Sequence, residues 1–557
     1  MSNFGSVSGY LHTDGRWMVN GQNERIILRG WAAGNWMDPE GFMSVGIPGM
    51  YAFPDPDTFK NGKLVNNIRF DRQRTMAYGV RELAGTQYAN TFWQRWYRTH
   101  LTEADIRTMA EMGYNSVRLP LDGNAFLYEE PGIEWNEDTF AMLDDVLDWC
   151  EKWGLYAILD LHAAPGGQSG LGCDNGIDNM PHTFTEPESR ERTILIWEKF
   201  ASRYKDRWIV GAYELLNEPI SPLSTHYLSQ DLRCFYDETI ARIRRIDQKH
   251  MFILEPPEFS RDMTFLDKGF DPEYSNWAYS VHMYWFTPEM RDFYRYLEPS
   301  RRLNVPVWIG EGRGTPAAMA VFYDMLAEYG VGFNLFCWKA MRDVNGVHAH
   351  SILHYAVPDG WEAIRKYVEE GGPRPSYVQA QELLDRWIEA SRFENCTIDP
   401  EMAPYSVRRQ GITIPAAGYD GIGGDGISFH GTWREGNIYS YRTEDRIKMV
   451  AKPNAPVSGM FGHPVSGLDN LLVELSDDEY VCYSVNYVVS EKKPVLIGNA
   501  MTDTVCRVSV GSRTTELAFK AGAVSEQLLS LENGPRSTVK IQVITGKLQI
   551  EKISFPV

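Results

Sequence analysis

Positive charge is scarce in this 557-residue chain: 55 Lys and Arg stand against 74 Asp and Glu, a net charge of -19. Such a balance repels phosphate backbones and anionic lipid surfaces, which argues against a nucleic-acid or membrane-surface role. No stretch reaches eighteen apolar residues, so no transmembrane segment is expected. The opening MSNFGSVSGYLHTDGRWMVN lacks a basic start followed by an apolar run, so no signal peptide is expected. Cysteine is sparse as well. Cys150, Cys173, Cys234, Cys337, Cys396, Cys482 and Cys506 are odd in number, scattered, and form no CxxC pair. Free thiols in a reducing, cytoplasmic compartment are the expected state, unless a leader was removed and the protein is secreted. Internal repeats and low-complexity segments are also lacking.

What is present is a folded-protein composition, 43% hydrophobic and 23% charged, long enough for two or three domains with real cores. Tyr, Phe and Trp number 29, 25 and 17 and crowd the first 340 residues, a lean toward a concave site that stacks on sugar faces. Eight short apolar runs recur there, at 26–31, 115–121, 156–162, 212–218, 251–255, 278–284, 307–311 and 332–338. Helical patterns lie between them: 102–112 opens on a Thr102…Asp105 capping box, and 138–153 stops at Gly154. Strand and helix in alternation predict an α/β protein with a parallel sheet closed into a (β/α)8 TIM barrel, plugged below by a hairpin at 9–24. Residues 38–100 form a long insertion after the first strand, expected to wall or cover the barrel mouth. Near residue 398 helical periodicity gives way to short alternating segments such as YVCYSVNY and KLQIEKISF, the texture of an antiparallel β-sandwich. The expected division is a barrel over 1–397 and a sandwich over 398–557.

In a TIM barrel the chemistry sits where strands end. The fourth run ends in LLNEP, which places Asn217 and Glu218 at the mouth, and the seventh ends in VWIGEG, which places Glu311 there too. Two carboxyl groups on one face suit glycoside hydrolysis, one protonated to donate and one ionised to attack or to activate water.

The ordered series SVRLP, DLH, LNEP, VHMYW, GEG and CWK resembles glycoside hydrolase family 5, the cellulase-like branch of the retaining β-glycosidase clan, over roughly residues 20–345. The resemblance implies a carbohydrate substrate and no cofactor or metal. It implies Glu218 as general acid/base and Glu311 as nucleophile, with their carboxyl groups about 5–5.5 Å apart. Asn217 would contact the sugar 2-hydroxyl, and Arg118 and Tyr284 would hold the nucleophile ionised. His162 and His282 would line the subsite on the non-reducing side, and Trp338 would be its stacking floor. GWAAGNWMDPE and DLHAAPGGQSG are similar to loops of exo-β-1,3-glucanases and related β-glucosidases, which puts Trp36 in the site and makes Glu40 a specificity residue. The insertion and the LGCDNGIDNM string depart from that branch.

The function expected is a retaining β-glycosidase acting from the chain end on β-glucosides or β-glucan oligosaccharides. An endo-β-glycanase, a glycolipid β-glycosidase, a transglycosylase and a non-catalytic carbohydrate-binding protein on the same scaffold stay open. His348, His350 and His354 in HAHSILH have no acidic or Cys partner nearby in sequence, so an aglycone-contacting loop is expected there rather than zinc. The C-terminal sandwich is similar to jelly-roll carbohydrate-binding modules. Trp433, Tyr439 and Tyr441 could form a stacking face, or the sandwich could simply brace the barrel.

Overall fold

The eight apolar runs close on themselves. In the computed structural model, β3 (Arg29–Ala32), β4 (Ser116–Asp122), β5 (Tyr156–Ala163), β6 (Val210–Glu214), β7 (Met251–Leu254), β8 (Trp277–Tyr284), β9 (Val307–Arg313) and β10 (Phe333–Leu335) pair in sequence order, all parallel, and β10 returns to β3. The structure describes residues 5–44, 70, 72–171, 173–222, 225–270, 274–284, 290–314, 316–327, 329–342, 351–399, 402–421, 424–436, 442, 445–453, 455, 468–487, 492–532 and 534–557. Among them no helix is long and apolar enough to cross a membrane.

The barrel strands are buried on both faces, which is why they read as continuous apolar runs. A hairpin of β1 (His12–Asp14) and β2 (Trp17–Val19) closes the lower end. Leu11 and Met18 join Ile26, Leu28, Tyr156, Ile158, Ala212, Met251, Ile253, Ala278 and Trp308 in one apolar layer there. With that end sealed, polar groups deeper in the barrel are reached from the other end alone.

The Glu103–Met112 helix starts on the expected capping box, Thr102 with Asp105, and the Glu137–Trp153 helix ends on Gly154 in the left-handed region. The described part of the insertion forms two helices, Gln73–Ala84 and Thr86–His100. Phe92 and Trp96 pack their rings on Trp387 of the Tyr377–Ala390 helix, with centroids 5.5 and 4.5 Å apart. This half of the insertion is bolted to the barrel's flank, while residues 45–69, the part expected over the mouth, lie outside the described residues.

The C-terminal region is two antiparallel sheets sharing one apolar core. Core membership changes between Val407, which packs with the barrel, and Ile412, which packs with the sandwich. The strand at Thr397–Ile398 still pairs with Leu353–Tyr355 on the barrel side. Of the sandwich aromatics, Trp433 is half-buried with Lys448 Nζ 4.5 Å over its ring, and Tyr439 and Tyr441 lie outside the described residues.

Candidate active site

Arg118 organises the barrel mouth. It points inward from β4, and five partners on four neighbouring segments surround its fully buried guanidinium. Nε donates to Glu214 Oε2 at 2.6 Å, Nη1 to Glu311 Oε1 at 2.6 Å and Nη2 to Asn217 Oδ1 at 2.8 Å. Asp160 Oδ2 and Glu255 Oε1 stand 3.1 and 3.4 Å from Nη2. Breaking such a buried ion pair by removing one partner costs about 3–5 kcal/mol, because the remaining charges are left uncompensated.

Glu311 lies on β9. A register shift between Val281 and His282 sets His282 of β8 opposite Glu311, and two residues on, Tyr284 donates its hydroxyl to Glu311 Oε2 at 2.6 Å. Burial alone would raise this carboxyl. His282, Arg118, His162 and the Tyr284 hydroxyl outweigh burial and hold it at about 2, so Glu311 is ionised at neutral pH.

Glu218 arrives differently from expectation. β6 stops at Glu214, so LLNEP is the connection after the strand and not its end. Glu218 there has a left-handed φ of 39°, a conformation that costs a non-glycine residue about 1–3 kcal/mol. Its N–H is anchored on Glu255 Oε2 at 2.8 Å, and its Oε1 lies 2.7 Å from His282 Nδ1. The other ring nitrogen of His282 faces Glu255 Oε1 at 3.0 Å. Burial opposes charge on this imidazole, but Glu255, Glu311 and Glu218 raise it well above the ordinary histidine value. One oxygen of Glu218, one of Glu311 and a nitrogen of His282 lie within 4.8 Å of one another.

His162 on β5 shares Asp160 Oδ2 through Nδ1 at 2.7 Å, and burial notwithstanding, Asp160 lifts it to about 9. Glu40 follows the DP turn after β3, half-buried. Loss of water raises its carboxyl to about 8, with His162 opposing and Asp38, Glu311 and Glu218 adding.

Two of the expected aromatic contacts are corrected. Trp338 is 1% exposed, and its indole N–H donates to Asp105 Oδ1 at 2.9 Å beneath the site, edge-on to Trp31. The same Asp105 pairs with Lys339 Nζ at 2.8 Å, so the CWK string is an internal fastening rather than a sugar floor. Trp36 is fully buried and donates to Tyr97 O at 2.9 Å, tying the turn after β3 to the insertion. Among the described residues, Phe336 is an aromatic beside the site, its ring parallel to His162 at 5.9 Å and packed near Tyr284 and Met43.

Three residues escape the strand-end search. Glu255 ends the MFILE run, where the rule could have flagged it. Phe336 hides beside a larger aromatic. Gln168 sits in a loop, where its Nε2 donates to His162 O at 2.7 Å and to Asn217 O at 2.9 Å, stitching two mouth segments together. Gly166 and Gly167 before it have φ of 81° and 80°, and a Cβ on Gly166 would meet Ser189 Oγ at 2.5 Å, so the turn requires glycine.

The two departures from the exo-glucanase loops explain each other. Arg72 Nη2 of the insertion donates to Asn179 Oδ1 at 2.7 Å and Nη1 to Gly176 O at 3.3 Å. Asn175 Oδ1 accepts from Arg74 N at 2.7 Å, and Asn175 Nδ2 donates to Asp122 Oδ2 at 2.9 Å. The insertion therefore holds the 171–180 loop against the mouth. His348 and His350 lie outside the described residues. Two groups here bring possible metal-ligand atoms within 4.8 Å of one another: Glu214, Glu255 and His282, and Glu218, His282 and Glu311.

Residues 76–342 match the family Cellulase (glycosyl hydrolase family 5). A β-xylosidase of Phanerodontia chrysosporium is 28% identical over 275 residues, 49% of this chain and 52% of its own. Endoglucanase C of Acetivibrio thermocellus is 35% identical over 163 residues, 29% of this chain and 44% of its own. A glucan 1,3-β-glucosidase of Candida oleophila is 31% identical over 232 residues, 41% and 49% respectively. The chain spans about half the length of these curated relatives. Through its barrel the chain is similar to glycosyl hydrolase family 5.

Proposed function

We propose that this protein is a retaining β-glycosidase, hydrolysing β-glucosides or β-glucan oligosaccharides from the chain end by double displacement. The observation that carries this reading is the spacing of Glu218 and Glu311, whose nearest oxygens lie within 4.8 Å. That suits direct attack by one carboxylate and is short of the roughly 6.5–9.5 Å that an inverting pair keeps for water.

Glu218, as the acid, donates its proton to the leaving oxygen while Glu311 attacks the anomeric carbon. The glycosidic C–O bond breaks and a glycosyl ester on Glu311 forms. As Glu218 gives up its proton, the His282 N–H at 2.7 Å receives the new negative charge in a charge-assisted hydrogen bond. Water then attacks the same carbon, Glu218 takes its proton back, and Glu311 leaves as the carboxylate that Arg118 and Tyr284 stabilise. Asn217, with Oδ1 held by Arg118 and Nδ2 3.4 Å from His162 Nε2, is the amide offered to a sugar hydroxyl. Exo action is supported by Glu40, which feels the charge of both carboxyls, and by the loop walled in by Arg72 and Arg74. The glucan 1,3-β-glucosidase relative supports a β-glucoside.

The test is nitrophenol release from a panel of β-linked nitrophenyl glycosides by wild type, Glu218→Ala and Glu311→Ala. Turnover of one epimer, with azide restoring Glu311→Ala and yielding the inverted α-glycosyl azide, is expected. Cleavage of internal bonds in longer glucans without any aryl-glycoside turnover would replace exo by endo action. All seven cysteines are free, which supports a reducing cytoplasmic setting. Seven reactive thiols on titrating the denatured protein as purified are expected, and fewer would count against it.

A further inference from the structure

Behind the reacting carboxyls lies a second acidic pair. Glu214 closes β6 and Glu255 follows β7, both fully buried. One oxygen of each and a ring nitrogen of His282 lie within 4.8 Å of one another, so the two carboxyls share one buried site. Two carboxylates so close and shut away from water repel each other, which favours one proton held on the pair.

The surroundings decide which residue carries it. Glu255 is better supplied: Glu218 N donates to Oε2 at 2.8 Å and Arg118 Nη2 to Oε1 at 3.4 Å, and His282 Nε2 stands 3.0 Å from Oε1 as an ion-pair partner. Glu214 receives Arg118 Nε on Oε2, but among the described residues its Oε1 meets no protein donor. A buried carboxylate oxygen without a donor is costly, whereas the same oxygen carrying a proton becomes the donor itself. Gly310 keeps the space open, since a Cβ there would stand 2.2 Å from Ser280 Oγ and 3.1 Å from Glu214 Oε1.

Charge balance agrees. Asp160, Glu214, Glu218, Glu255 and Glu311 face the cations Arg118, His162 and His282. The carboxyls outnumber the cations, so a neutral Glu214 brings this buried cluster closer to balance. Burial, with Asp160 and Glu255 adding to it, pushes Glu214 well above the usual carboxylate range. Burial pushes Glu255 the same way, but His282 and Arg118 outweigh it and bring Glu255 below that range.

We propose that Glu214 is a neutral acid donating to an ionised Glu255, and that the pair is a positioning device. Glu255 fixes the backbone of Glu218 in its left-handed turn and keeps His282 charged between the reacting carboxyls. Of the other elements packed around the pair, Tyr236 contributes its hydroxyl to Glu255 O at 2.9 Å, and Tyr284 and Asn217 bear on it only through Glu311 and Arg118.

The kinetic arm of the test rests on the glycosidase reading and compares two variants of the full chain. Glutamine is isosteric with protonated glutamic acid. Glu214→Gln, which removes no charge, therefore lowers kcat/KM on the aryl glycoside less than Glu255→Gln does and leaves the pH profile in place. Glu255→Gln removes the charge that keeps His282 protonated: kcat/KM falls by roughly thirtyfold or more, and the acidic limb moves up by about one pH unit as Glu311 loses its imidazolium neighbour. Equal losses in both variants, or an unmoved acidic limb in Glu255→Gln, overturn the proposal. A second arm needs no turnover. The infrared carbonyl stretch of a buried protonated carboxyl at neutral pH should lose one component in Glu214→Gln and keep it in Glu255→Gln. The reverse pattern, or an unchanged band in Glu214→Gln, overturns the proton's placement even if no glycoside is cleaved, so the two readings fail separately.

Discussion

Tyr284 donates its hydroxyl to the one oxygen of Glu311, Oε2, that Arg118 leaves free, at 2.6 Å, so both carboxylate oxygens are held before any substrate arrives. A hydrogen bond to a charged group is worth about 1.5–3 kcal/mol. Tyr284→Phe removes only that oxygen from the side chain. We expect kcat/KM to fall roughly 10- to 100-fold and its acidic limb to move upward, since the bond favours the ionised form of Glu311. A pH series of kcat/KM for wild type and variant checks this, and an unmoved limb would show that Arg118 and His282 suffice.

The same carboxyl makes stability depend on acid. Glu311 is held at about 2 in the folded protein against an ordinary 4.5. Between these values the unfolded chain binds more protons, so the contribution is fully present above about pH 4.5 and is lost as pH falls toward 2. Its size is on the order of 3 kcal/mol. Glu311→Gln should therefore be less stable than wild type at pH 7 and lose less of its stability between pH 5 and 3. Urea midpoints at those three values test the difference.

How far the sequence carried depends on the kind of feature. The barrel was legible because strands buried on both faces must be apolar throughout, and Glu311 follows from the rule that chemistry sits at strand ends, whereas Arg118 and Tyr284 came from the family resemblance. The end of β6 was placed four residues late because LLNEP keeps an apolar look after its ladder has stopped. Trp36 and Trp338 went astray because an aromatic type says nothing about which side of the barrel wall it faces; each has a buried partner for its indole N–H, Tyr97 O and Asp105. Glu255 stood at a strand end where the rule could have found it, but Gln168 and the pairing of Glu255 with Glu214 were invisible because their meaning lies in partners far away in the chain.

Glu40 offers a pH test of sugar recognition. Its carboxyl is raised to about 8, so it is mostly neutral at pH 7 and ionises in mild alkali. If it accepts from hydroxyls of the terminal sugar, KM for an aryl β-glycoside should fall as pH rises through 8, and Glu40→Gln should abolish that inflection while leaving the acidic limb alone. Folding responds in the opposite sense. A carboxyl raised by burial makes the folded state bind more protons than the unfolded one, so wild type loses stability between about pH 4.5 and 8. The stability of Glu40→Gln relative to wild type should accordingly grow from pH 5 to pH 9. Thermal unfolding of the two proteins at both pH values reads this directly.

The sandwich is joined to the strand–helix unit that carries Glu311, which bears on whether it is a separable sugar-binding module. On the Pro316–Ala327 helix after β9, Val321 is part of the sandwich core. Asp324, one turn on, is buried and accepts from Arg536 Nη1 and Nη2 at 3.0 and 3.3 Å, with Arg408 at 3.6 Å and Arg29 at 4.0 Å. Arg408 also donates to Ala320 O at 2.8 Å and to Asp420 Oδ1 at 2.6 Å. Burial would raise Asp324, but the arginines outweigh it and depress it strongly, so its contribution is present at neutral pH and fades only in strong acid. Asp324→Asn leaves three arginines short of a counter-charge and should cost about 3–5 kcal/mol, read as a lower urea midpoint with barrel and sandwich still unfolding together. Residues 412–557 expressed alone should be insoluble and should not be retained on β-glucan gels. A soluble fragment that binds them would make the sandwich a sugar-binding module and the arginine cluster a mere tether.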